Sequence, residues 1–287
     1  MPNSLRRARF WFCARSKGWD HWRILLVRYN ARMARYLVTL AFLFGSAQWV
    51  LAQPADVKSS GESKLVRVPF VGCASDGQVG PMDAPKGVSM SFPISPAAAK
   101  QLAYYQSANG PGVLGPRGWH CFDTYGSSGH ALFISPEAID DGRIMGNDWK
   151  GFFGPAIEFS RRYGDTSGRF DVAEIMARIF PGHEPFVQRV VAEGLVQPFE
   201  SGPYPADRLT YRGKDMVEFQ TPPNSKGLGT GIAMRPNSSP VSGVAILFGS
   251  TPDLLLLQVR LPAELQPLAN DIIHQTELGA AHNMNAR

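Results

Sequence analysis

Gly243-Val244-Ala245-Ile246-Leu247-Phe248-Gly249-Ser250-Thr251-Pro252-Asp253-Leu254-Leu255-Leu256-Leu257-Gln258-Val259-Arg260-Leu261 reads as two strands around a tight turn. Gly249, Pro252 and Asp253 are turn formers, and so short a connection makes the flanking strands antiparallel neighbours. The run Leu254-Leu255-Leu256-Leu257 is apolar at successive positions, so both sides of that strand are covered and it is central in its sheet. Upstream, residues 208–212 and 216–221 flank a turn at Gly213-Lys214-Asp215, and residues 229–234 predict one more strand. The result is a meander of four or five strands. Downstream, a closing helix carries Leu265, Leu268, Ala269, Ile272 and Ile273, its regular part beginning at Pro267.

Moving towards the N-terminus, two apolar stripes predict a helical hairpin. Asp171 and Glu174 make a capping-box pattern ahead of Val172, Ile175, Met176, Ile179 and Phe180. Pro181-Gly182 stops that helix, Pro185 suits the first position of the next, and Phe186, Val187, Val190 and Val191 form its stripe before a stop at Gly194. Residues 156–163 alternate, with Ile157, Phe159 and Tyr163 on one face and Glu158, Ser160 and Arg162 on the other. Further strands are expected at 64–71, 89–94, 119–122 and 131–134, the last two joined by a turn at 126–129. Ser95-Pro96 caps and opens a helix expected to run through Ala99, Leu102 and Ala103 to near Gly110, followed by a Gly/Pro-rich loop at 110–118. The class is α+β: a largely antiparallel sheet with a helical hairpin and a C-terminal helix packed on it. One domain over 64–280 is expected, the alternative being two lobes divided near 198–205.

The chain has 287 residues, 44% hydrophobic and 18% charged, with a net charge of +5. That composition excludes long disordered tracts. The positive charge is local. Nine of 29 basic residues but one of 24 acidic residues lie in 1–52, leaving the remainder at −3. A nucleic-acid partner is therefore not expected. Met33-Ala34-Arg35, an apolar run over 36–50 and Val50-Leu51-Ala52 have the order of a secretory signal peptide cleaved before Gln53. Residues 1–32 then read as an upstream extension, 33–52 as the signal and 53–63 as a tether. The expected location is periplasmic or secreted, without stable membrane insertion after cleavage; the alternative is a retained inner-membrane anchor. Cys73 and Cys121 remain after cleavage, and in an oxidising compartment they predict one disulfide. Its loop of about 49 residues would stabilise the fold by roughly 4 kcal/mol.

Chemistry is hard to find in the residues. Gly126-Ser127-Ser128-Gly129-His130 lacks the glycine spacing of a nucleophile elbow and reads as a hairpin turn. Gly227-Leu228-Gly229-Thr230-Gly231 has phosphate-loop composition, but no helix follows to present free N–H groups. Asp140, Asp141, Asn147 and Asp148 could offer oxygens to calcium, though their spacing fits no EF-hand loop. Trp119 and Trp149 could pack in the core or stack on a ligand. His183 is expected to be exposed and inert in its interhelical turn. Glu158, Ser160 and Arg162 share one strand face, ordinarily a solvated one; with Ser128 and His130 they form the polar cluster worth locating. No cofactor or metal is predicted.

Gly118-Trp119-His120-Cys121-Phe122-Asp123-Thr124-Tyr125-Gly126 resembles the signature string of a group of uncharacterised exported bacterial proteins. So do Val71-Gly72-Cys73-Ala74-Ser75-Asp76-Gly77, Thr166-Ser167-Gly168-Arg169-Phe170 and Gly202-Pro203-Tyr204-Pro205. The resemblance spans residues 71–273 and implies export and one domain; it transfers no activity, ligand or catalytic residue to this chain. The meander closing on a C-terminal helix also resembles the PsbP and DcrB class of extracytoplasmic domains. The expected role is that of a non-catalytic envelope protein binding a partner or ligand. Alternatives are an exported hydrolase whose site assembles only in three dimensions, and a carrier of an apolar ligand.

Overall fold

The computed structural model describes residues 65–285 except Asn147 and Ile232, with side chains to Ala281. The expected extension (1–32), signal peptide (33–52) and tether (53–63) lie outside the described residues. In chain order the elements are β1 (Val66–Gly72), β2 (Ala74–Gly77), β3 (Ser89–Phe92), α1 (Pro96–Gln101), β4 (Leu102–Gln106), β5 (Val113–Pro116), β6 (His120–Gly126) and β7 (Gly129–Ser135). There follow α2 (Asp141–Ile144), β8 (Ala156–Arg162), α3 (Arg169–Ile179), α4 (Glu184–Ala192), β9 (Arg208–Tyr211), β10 (Met216–Thr221), β11 (Val241–Phe248), β12 (Asp253–Arg260) and α5 (Ala269–Asn285). Short 3-10 turns at Pro181–His183 and Ala263–Leu268 lead into α4 and α5. All described residues, 198–205 included, belong to one unit, Lys58–Arg287.

Eight strands form the large sheet in the order β2-β6-β7-β8-β12-β11-β10-β9, antiparallel except for β2 beside β6. The Leu254–Leu257 run sits where its composition requires: β12 lies between β8 and β11, with Leu257 opposite both Phe159 and Val244. A four-stranded sheet, β3-β1-β4-β5, packs with α1 and α5 on one face of the large sheet. Val68, Leu102, Tyr105, Ile157, Leu257 and Ile272 meet in that core. The other face carries α3 and α4, whose Val172, Met176, Ile179 and Phe186 close over Ala245, Leu247 and Leu254. The α+β class and the helix packed on the sheet are as expected.

The chain passes from the small sheet to the large one at Cys73, between β1 and β2, and that residue is disulfide-bonded to Cys121 of β6.

Four expectations are corrected. The helix opened by Ser95 ends at Gln101, and Leu102–Gln106 is strand β4, parallel to β1. Leu and Ala favour a helix, but here a slot between β1 and β5 buries Leu102, Ala103 and Tyr105, and packing overrides propensity. Val113–Pro116, inside the supposed loop, is edge strand β5, where a terminal proline is tolerated. No strand is formed by the described residues of 229–234, among which Thr230 and Met234 make the isolated bridges Gly227↔Thr230 and Phe152↔Met234. Helix α3 starts at Arg169 with Gly168 as its cap, so Asp171 is not the cap and instead pairs with Arg162 at 3.2 Å.

Candidate functional site

The five residues of the polar cluster are divided by the sheet. Glu158, Ser160 and Arg162 alternate along β8 on the face turned towards α3. His130 lies opposite Arg161 in the β7–β8 register and so belongs to the other face. Ser128 is in the β6–β7 turn, its carbonyl accepting the N–H of Tyr163 at 3.1 Å.

Nor is the Glu158 face solvated. Glu158 is 8% exposed and Ser160 2%, because the loops around 152–154 and 228–234 cover this part of the sheet. Gln258, the cross-strand neighbour of Glu158, donates to the Leu228 carbonyl at 2.6 Å. The fully buried Arg260 donates to the carbonyls of Phe152, Gly154 and Arg235. Burial pushes the Glu158 carboxyl up to about 7, against the opposing pull of Arg162.

His130 belongs to a buried polar network. Its Nδ1 is 3.6 Å from Oδ1 of Asp123. Oδ2 of Asp123 accepts from the Ser107 hydroxyl at 2.6 Å and from Asn109 Nδ2 at 3.3 Å, and Asn109 also donates to Ser75 at 2.9 Å. An aspartate beside a histidine is the orienting half of a hydrolytic triad. Here, however, Nε2 of His130 is buried with no hydrogen-bond partner, and the Gly110 backbone lies against the ring. A Cβ at residue 110 would sit 2.2 Å from that nitrogen. The hydrogen bonds tie β2, β6 and the β4–β5 connection together, with His130 of β7 beside them.

The remaining candidates are absorbed by structure. In the glycine-rich stretch, Leu228 N donates to Asp207 Oδ2 at 2.8 Å, and Gly229 N to the Thr221 hydroxyl at 2.9 Å. The N–H groups a phosphate would take are thus bound by the chain's own acceptors. Asp140 caps α2 through Arg143 N at 2.8 Å, while Asn147 lies outside the described residues. Among the described residues no group of three His, Cys, Asp or Glu could hold a metal. Trp149 packs edge-on against Phe133 and Phe152, and Trp119 packs against the main core. His183 is neither free nor inert: its Nε2 is 2.7 Å from Asp215 Oδ1, pinning the α3–α4 turn to the β9–β10 turn.

The feature that stands out is a groove of about 650 Å³ along the α3–α4 hairpin. The hairpin turns Val172, Met176, Ile179, Phe186 and Val190 to the sheet, which leaves Val187 and Val191 on its flank. The chain returning from α4 builds the opposite wall. Gly202, at φ +83°, donates its N–H to the Ala177 carbonyl at 2.9 Å and brings Phe199 and Pro203 alongside. Tyr211, on edge strand β9, also lines it. Arg178 of α3 lies over the Tyr204 ring at 4.3 Å and forms an ion pair with Glu200. The hairpin stripes were readable as core; that residues 198–203 fold back to make a third wall has no signature in residue spacing.

Comparison with protein-family models, curated proteins and solved structures finds no match.

Proposed function

We propose that the chain is an exported envelope protein that acts by binding, and that the α3–α4 groove holds an apolar ligand. The groove carries this reading. Its volume of about 650 Å³ is that of a small-molecule site, and Val187, Val191, Phe199 and Tyr211 give it apolar walls over the buried Met176 and Phe180. The wall surface in contact with water is stabilised by an apolar occupant at roughly 25 cal/mol per Å² covered. Export is supported by the charged and apolar segments before Gln53 and by the Cys73–Cys121 disulfide, a bond that persists in oxidising compartments. Among the described residues no helix is long and apolar enough to cross a membrane. The hydrolase alternative lacks comparable support, since Gly110 covers His130, the residue best placed to be a base.

The test is fluorescence titration with a neutral apolar dye, N-phenyl-1-naphthylamine. One saturable site per chain is expected, lost when Val191→Glu places a charge on the half-buried wall. Absence of saturable binding, or binding that Val191→Glu leaves unchanged, rejects the groove as the ligand site.

A further inference from the structure

We propose that the ligand is a long-chain carboxylate, its apolar chain lying in the groove and its head held by Arg178 in place of Glu200. This rests on the groove being a ligand site and names the class of ligand. An apolar wall selects only for hydrophobicity, so a few polar groups must read the head of the ligand. The charged or amide side chains on these walls are Arg178, Glu184 and Gln188. Glu184 and Gln188 are both exposed on α4 and satisfy each other at 2.9 Å.

Arg178 is different. Its side chain is only 12% exposed, yet its guanidinium is incompletely used. Nη1 donates weakly to the Gly202 carbonyl at 3.5 Å and Nη2 to Oε2 of Glu200, while the buried Nε has no partner. Two other arginines of this chain show the filled arrangement. Nε of Arg169 donates to both oxygens of Glu193 at 2.9 Å, with Nη2 adding a bond at 2.6 Å. Arg161 directs both Nε and Nη2 at Asp253. At Arg178 the same edge is half filled, and by a carboxylate whose side chain is 79% exposed.

A carboxylate entering along the groove takes both Nε and Nη2, the bidentate geometry that guanidinium prefers. Glu200, whose side chain is 79% exposed, returns to water when displaced and regains its hydration there. The ligand's pair forms beside apolar walls, where lower dielectric strengthens it. A neutral hydroxyl offers the guanidinium one acceptor oxygen and no opposing charge, and an ammonium head is repelled.

The experiment compares dodecanoic acid, dodecanol and dodecylamine at pH 8 by displacement of the bound dye. The acid is expected to bind at least about tenfold tighter than the alcohol, the factor set by one further hydrogen bond to a charged group. Affinity should also rise by up to roughly fourfold per methylene along the C8 to C12 acids. Glu200→Gln, at an exposed position, should tighten the acid severalfold and leave the alcohol unchanged. Arg178→Gln should remove the preference for acid while the alcohol still binds; should that variant fail to fold, Glu200→Gln and the wild-type series decide alone. Equal binding of acid and alcohol, tighter binding of the amine, or no response to Glu200→Gln overturns the carboxylate assignment and leaves the groove as an apolar site. Binding of none of the three rejects the groove itself.

Discussion

Glu158 holds a carboxyl at the centre of the large sheet, where burial raises it from an ordinary 4.5 to about 7. Between those two values the folded protein retains a proton that the unfolded chain has lost. Stability therefore falls as pH rises through this window, and the full penalty of roughly 3 kcal/mol is present above it. Glu158→Gln removes the titration at nearly constant shape. The variant is expected to be more stable than wild type by up to about 3 kcal/mol at pH 8, and equal to it near pH 4. Urea midpoints at the two pH values measure this; a gain independent of pH would mean that ionisation is not its cause. Gly110 makes a second case. Alanine there would drive Cβ into His130, and overpacking of this kind costs about 1–3 kcal/mol. In a Gly110→Ala, His130→Ala double variant the two effects should be non-additive, the smaller side chain accommodating the methyl. Additive losses in denaturation would show that the two residues do not meet.

At the scale of elements, the disulfide acts where the chain changes sheets. Cys73 lies between β1, in the small sheet, and β2, at the edge of the large one, and β2 pairs only four residues with β6. Such a short edge strand depends on its covalent anchor. Replacing both cysteines by serine is expected to cost about 2–5 kcal/mol, and reductant should bring wild type to the level of that variant without affecting the variant itself. Unfolding curves that reductant leaves unchanged in wild type would contradict this. The two cysteines, the β9 to β12 meander and the α3–α4 hairpin were legible because each is signalled locally, by residue type, turn chemistry or stripe. Strands β4 and β5 were not, because they exist only as partners: Leu102–Gln106 follows a capped helix and Val113–Pro116 sits among glycines and prolines, and each is a strand because its neighbour is. The burial of Glu158 was hidden for a related reason. Alternation along β8 reads the same whether a polar face meets water or lies under loops, and those loops come from distant segments at 152–154 and 228–234. The groove shares this property, since its third wall is long-range in origin.

For the whole molecule, the opposite faces of the large sheet have different tasks. One face is sealed by the small sheet and α5 into the main core; the other carries the hairpin whose outer flank forms the groove. An occupant of that flank leaves the main core closed, so binding requires no unfolding of the sheet. The placement also bears on export, because the portion from Gln53 onward contains both the groove and the disulfide. The net charge of +5 belongs largely to the first 52 residues, and the rest carries −3. If residues 33–52 are a signal, protein recovered from the native cell envelope begins at Gln53, is mildly acidic and has no free thiol. At moderate salt it should not bind nucleic acid appreciably, since a net charge of −3 opposes association with the phosphate backbone. Intact-mass measurement on protein taken from the envelope tests the first part, and a salt titration of nucleic-acid binding tests the second. A start at Met33 or Met1 would favour a retained anchor, and salt-sensitive micromolar binding would overturn the reading that nucleic acid is no partner.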